Sequence, residues 1–186
     1  MSEPAAAAEA ERVPFLQEKR ILITAAIVLV ADQLTKLLVS NTLRPDEEVI
    51  IIEGFLKFVN WHNTGAAWSQ FQGKSLQLAV ISVFALAALI HWRHHFEIHT
   101  RTGKLAMGML IGGILGNFID RLAYQHVVDF IRFHLVNRNG DILGYPAFNI
   151  ADMGICIGVG LLFVMAWRQP EENAENKEAG DGNEGA

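Results

Sequence analysis

The chain has a single cysteine, Cys156, among its 186 residues, so it forms no intrachain disulfide and no cysteine-based metal cluster. Cys156 stands in an apolar run and reads as an inert small filler. A basic surplus is also missing: 15 Lys and Arg face 20 Asp and Glu, which gives nucleic acid no electrostatic footing. No His-Glu-x-x-His zinc motif, Gly-x-Ser-x-Gly elbow or internal repeat occurs. Charge itself is scarce, at 19% of residues. Residues 169–186 hold six acids and one base, and their net −5 equals the formal charge of the whole chain. The body is therefore neutral.

What fills the body is apolar. Hydrophobic residues make up 51% of the chain, and the mean hydropathy of +0.24 is diluted by the two polar ends. Runs at about 21–40, 75–92, 104–122 and 149–167 each approach the roughly 20 residues that cross a hydrocarbon core about 30 Å thick. The first exceeds a signal-peptide core and lacks a small-residue cleavage site after it, so it reads as a retained span. The expected fold class is an α-helical integral membrane protein, a four-helix bundle. A disordered cytoplasmic lead is expected over 1–19, a four-span membrane domain over 20–168 and a disordered acidic cytoplasmic tail over 169–186. Gly108, Gly112 and Gly116 repeat at four-residue spacing, as do Gly154 and Gly158; this lets helices approach closely in lipid, although membrane helices also simply tolerate glycine.

Arg12, Lys19 and Arg20 precede the first run, Arg93, Arg101 and Lys104 lie between the second and third, and Arg168 follows the fourth. That bias places both termini in the cytoplasm. The two outer loops carry β-branched and aromatic residues over 48–61 and 127–135, which predicts short strands. Trp61, Trp68 and Tyr145 suit anchoring at the headgroup level.

Ionisable groups inside apolar helices are costly, so each is a functional candidate. Asp32, Thr35 and Lys36 lie in the second half of the first run, Asn117, Asp120 and Arg121 end the third, and Asn149, Ala151 and Asp152 begin the fourth. Alternating span directions bring all three groups to one face, with Asn63, Gly65 and Asp129 of the outer loops; Asp32 is expected deeper than Asp152. Blander readings stand beside these. Asp32 and Lys36, at i,i+4, suit an intrahelical ion pair. Arg121 suits an anchor for polar backbone or carboxylates. Asn149 and Asp152 have the spacing of an N-cap and its N3 partner. His91, His94, His95 and His99 read as a solvated juxtamembrane cluster on the inner side; His62, His126 and His134 lie on the outer side without a specified role. Lys36 and Ser40 allow a serine/lysine pair, with no companion motif to support it.

Five segments together resemble the lipoprotein signal peptidase (signal peptidase II) family: Asp32-Gln33-Leu34-Thr35-Lys36, Asn63-Thr64-Gly65-Ala66-Ala67, Gly112 through Arg121, Val127-Val128-Asp129-Phe130 and Phe148-Asn149-Ile150-Ala151-Asp152. They occur in the family's order, with Trp68 where the family usually has phenylalanine. The resemblance implies Asp129 and Asp152 as catalytic aspartates. Asp32, Lys36, Asn63, Gly65, Asn117, Asp120, Arg121, Asn149 and Ala151 become supporting or substrate-binding residues. It further implies a diacylglyceryl-prolipoprotein substrate cut just before the lipidated cysteine. Membrane lipids are the surroundings and no nucleic acid or cofactor is involved. The implied location is the bacterial inner membrane, with a monomer whose active site is near the periplasmic face.

Two carboxylates sharing one proton can hydrolyse an amide without a metal or covalent nucleophile. Asp152 at a helix N-terminus meets a favourable partial positive charge and Asp129 on a strand does not, which assigns Asp152 as the base. The rival class is a small membrane transporter or proton-relay subunit, which needs polar groups through the whole membrane thickness. A structural assembly subunit is a second rival. The inner halves of the four runs carry almost no such groups.

Overall fold

The computed structural model describes residues 18–65, 70–93, 96, 98–136 and 142–181; at residue 142 and residues 169–181 the backbone alone is described. The first helix, α1, runs Lys19–Thr42, followed by strands β1 (Glu48–Ile52) and β2 (Leu56–Asn63). Helix α2 spans Ser75–His91 and α3 spans Arg101–Ala123. Strands β3 (Val127–Val136) and β4 (Ile142–Gly144) then lead to α4 (Ile150–Asp181). Three of these helices are long and apolar enough to cross a membrane. The 17 residues of α2 reach about 25 Å, short of a core of about 30 Å. The expected second run is thus present as an apolar helix shorter than the other three. At the other end, α4 continues as helix to Asp181 where an unstructured tail was expected from residue 169.

α3 is the central helix, packed against α1, α2 and α4. Its buried face runs from Ala106 through Gly112 and Gly116 to Asn117 and Asp120. A Cβ on Gly112 would lie 2.6 Å from the Ala25 carbonyl, and one on Gly116 would lie 2.5 Å from Asp32 Oδ2. Glycine therefore sets how closely α1 and α3 approach, and with that the register of every polar group between them.

The strands form one antiparallel sheet in the order β1-β2-β3-β4. A register shift between Phe58 and Trp61 separates the lower β2–β3 pairs from the upper ones, among them Trp61 opposite Asp129. The sheet packs on the last turns of α1, where Val39, Val128 and Phe130 form a buried cluster and Asn60 Nδ2 donates to the Leu43 carbonyl at 2.8 Å. Phe148 is fixed to β3 by an isolated bridge to Ile131, with backbone bonds of 2.9 and 3.0 Å. The residue after it is Asn149, which caps the start of α4. Strand pairing thus sets the first turn of α4 beside Asp129.

Candidate active site

Asp129 and Asp152 face one cavity of about 830 Å3, also lined by Asn63, Asn117 and Arg121. Their environment is built from three asparagines whose orientations are each fixed from behind. Asn63 Oδ1 accepts from the Gly65 N–H at 2.9 Å, so its Nδ2 turns to Asp129 Oδ2, also at 2.9 Å. Asn149 Oδ1 accepts from the Asp152 N–H at 2.9 Å, and its Nδ2 donates to Asp129 Oδ1 at 2.8 Å. Asn117 Oδ1 faces the Lys36 ammonium at 2.9 Å; a lysine has donors only. Its Nδ2 therefore points at Asp152 Oδ1, 2.7 Å away. The fourth carboxylate oxygen, Asp152 Oδ2, accepts from the Asn149 N–H at 3.3 Å. Every oxygen of the pair holds one donor and keeps lone-pair capacity for a ligand.

The Asn149–Asp152 spacing does form reciprocal capping bonds, as its spacing suggests. Capping and function are one arrangement, since the same Asn149 amide links both aspartates.

Behind the pair lies a closed ionic knot. Lys36 Nζ is 2.8 Å from Asp32 Oδ2 and 2.8 Å from Asp120 Oδ2. Asp32 Oδ1 accepts the Ala151 N–H at 2.8 Å, which caps α4 from a neighbouring helix. Asp32 is thus level with the first turn of α4 and not deeper than Asp152, contrary to expectation. The start of α4 is sunk to the middle of α1, which continues ten residues, about 15 Å, past Asp32 to Thr42. Arg121 donates to the carbonyls of Asn117 and Gly65 at 3.2 and 3.3 Å. It ties the first outer loop to α3, in line with the anchoring reading. The lysine ammonium is fully engaged and Ser40 is exposed, so a serine/lysine pair does not form.

Sequence reasoning passed over Gln33, whose amide joins Asp32 Oδ2, the Gly116 carbonyl and Asp120 Oδ1 at 3.2, 3.3 and 3.0 Å. Its position between Asp32 and Lys36 was the available signal. Cys156 is exposed and lines the cavity one turn beyond Asp152, so it is no buried filler. Trp61 and Tyr145 line the cavity as well, and the Arg132 guanidinium lies over the Trp61 ring at 4.3 Å. Trp68, His94 and His95 fall outside the described residues. Among the described residues, no three His, Cys, Asp or Glu side chains gather as metal ligands.

Burial, and then the charge of Asp152, push the Asp129 carboxyl up to about 7, against the opposing hydrogen bonds from Asn63 and Asn149. His62 stacks on His126 with ring centroids 4.0 Å apart. Burial and that neighbour lower its basicity.

Apolar helices of membrane length around a buried carboxylate pair define the class, a helical membrane enzyme. Two bacterial membrane enzymes solved by the in meso method share the fold, with TM-scores of 0.71 and 0.66 and 32% and 31% identity. The matches cover 82% and 78% of this chain and 90% and 91% of theirs. More narrowly, the family described as Signal peptidase (SPase) II matches residues 24–168, and the chain belongs to that family. Lipoprotein signal peptidase of Bacillus subtilis is 37% identical over 75% of this chain and 88% of its own length. That of Chromobacterium violaceum is 38% identical over 78% of this chain and 90% of its own length. The chain is accordingly a membrane-embedded protease of bacterial lipoprotein processing.

Proposed function

We infer that the chain is an aspartic endopeptidase that removes the signal peptide from diacylglyceryl-modified prolipoproteins, cutting the bond before the lipidated cysteine. The observation that carries this is the locked donor at each of the four oxygens of Asp129 and Asp152. Such a frame holds two carboxyls in a fixed relation, with a proton to share.

Asp129, whose carboxyl is pushed up to about 7, carries the shared proton in the resting state. Asp152 is the base: its carboxylate sits on the first turn of α4, where negative charge is favoured. Asp152 takes a proton from water as the water oxygen bonds to the scissile carbonyl carbon. Asp129 gives its proton to the carbonyl oxygen, forming a tetrahedral diol. Collapse breaks the C–N bond; Asp152 returns its proton to the departing amine of the lipidated cysteine, and a diol hydroxyl restores the proton of Asp129. Both carboxyls end as they began.

A lipidated substrate keeps its acyl chains in the bilayer, since each re-exposed CH₂ costs about 0.8 kcal/mol. The site must therefore meet it at membrane depth. In this reading α2 completes four spans, both termini are cytoplasmic, the aspartates lie toward the periplasmic face and the enzyme acts as a monomer. The test is incubation of a diacylglyceryl prolipoprotein with the purified protein and a chelator. The expected products are the free signal peptide and a mature chain beginning at the lipidated cysteine. Cleavage abolished by chelation, or at another bond, would overturn the assignment.

A further inference from the structure

The sheet has a second face. Asp129, Trp61 and Arg132 look into the cavity, whereas Val49, Phe58 and Phe130 look the other way, onto the outer end of α1. There a separate groove of about 260 Å3 opens between the sheet and α1, walled on the helix side by Leu38, Val39 and Thr42. Thr35 and Thr42 contribute hydroxyls, but each is spent on its own helix, on the Ala31 and Leu38 carbonyls at 2.7 Å. The groove surface presented to a ligand is therefore almost wholly hydrocarbon.

Beside it runs β1, an edge strand in which every residue is exposed. Val49, Ile50, Ile51 and Ile52 are consecutive, at 40%, 64%, 47% and 50% exposure. Alternation turns them to both sides of the strand, and the one charge of β1, Glu48 at its start, is paired with Lys57 of β2 and Arg132 of β3. Phe55, past the turn, is 45% exposed, and Glu53 is the one acid between Val49 and Phe55. In water such an edge is an aggregation template.

The surface is also continuous with the lipid-facing side of α1. Leu34, Leu37 and Leu38 are about three-fifths exposed on that helix, and Leu38 is shared with the groove. The depth agrees, because the sheet packs beside the last turns of α1 and not beyond its end.

We propose that this far face of the sheet, β1 together with the groove against α1, is a docking surface for phospholipid acyl chains, so that the sheet lies within the bilayer leaflet and not above it. The occupant is bulk phospholipid because Phe130 and Asp129, neighbours on one strand, face opposite sides. A chain in the groove is separated from the scissile site by the sheet itself.

The test uses the full chain in phospholipid bilayers, with Cys156→Ser and a nitroxide attached at Ile51→Cys. Labels at Leu34→Cys on α1 and Arg20→Cys at its start give the lipid and water references. The expected result is an oxygen-to-nickel-chelate relaxation ratio at 51 within about twofold of that at 34. A ratio matching that at 20 overturns the proposal. A photoreactive phenylalanine analogue at Val49 should form an adduct with labelled phosphatidylglycerol. An adduct with a second copy of the chain, no lipid adduct, or one that a lipidated precursor displaces would each overturn the assignment to bulk phospholipid.

Discussion

The two aspartates belong to two differently made halves of the molecule. Asp152 grows out of the helical half, where α1, α3 and α4 close on a knot with one ammonium, two further carboxylates and no access to solvent. Asp32, Lys36 and Asp120 are all under 5% exposed. Asp129 belongs to the sheet half, which is open, with a cavity on one face and an apolar groove on the other. The helical half fixes charge, and the sheet half offers surface to be filled. The carboxylate pair takes one member from each, and Asn149, between Phe148 of the sheet and α4, is the residue that joins them.

The sharpest way to test that joint is to remove one carboxylate from each half. Asp129→Asn and Asp152→Asn should each lower the single-turnover cleavage rate by at least the 10²–10⁴-fold usual for general acid–base groups, about the same for both. Both variants should remain folded, with a cooperative thermal transition. Substantial activity in either variant would mean that the halves do not meet in the chemistry.

The knot should be far costlier to open than the ion pairs of the sheet. Lys36→Met leaves Asp32 and Asp120 facing each other in a buried site, and breaking a buried pair costs about 3–5 kcal/mol. Lys57, by contrast, pairs with Glu48 near the surface; Lys57→Met should cost about 1 kcal/mol or less. Denaturant unfolding of both variants in detergent measures the contrast, and similar losses would abolish it.

A smaller contrast lies in the glycines. Gly116→Ala puts a methyl 2.5 Å from Asp32 Oδ2, so Asp32 must leave Lys36 or Ala151. The cost should be about 1–3 kcal/mol, as for other overpacked cores. Gly160 has nothing within 4 Å of its missing Cβ. Gly160→Ala should be neutral or stabilise by up to about 1 kcal/mol through helix propensity. The readout is again unfolding, and a destabilised Gly160→Ala would contradict the open surface at that point.

The same division decides what was readable from the chain alone. Local relations were legible: the i,i+4 spacing of Asp32 and Lys36, the cap spacing of Asn149 and Asp152, and the β-branched stretches that became β1, β2 and β3. Relations between helices were not. Nothing in the spacing of residues 32 and 151 says that they lie level, since that register is set by glycines of α3 meeting α1. Gln33 was passed over because its partners come from α3, and Cys156 was misread because burial of an apolar helix face depends on its neighbours.

The last contrast is in protons. Folding raises the Asp129 carboxyl from an ordinary 3.8 to about 7. Between those values the folded chain holds a proton that the unfolded chain releases. Stability on this account is greatest below about 4, falls as pH rises through that window, and levels off above about 7. One full proton gives a slope of about 1.4 kcal/mol per pH unit, and Asp129→Asn should remove it. Asp152→Asn should do something different. The charge of Asp152 is the second cause of the rise, after burial, so without it the Asp129 carboxyl titrates below 7 but still above the ordinary range. Infrared carboxyl bands followed against pH in Asp152→Asn would show this directly. An unmoved Asp129 band would mean that the strand-borne aspartate does not feel its partner, and the pair would then be two separate acids sharing a cavity.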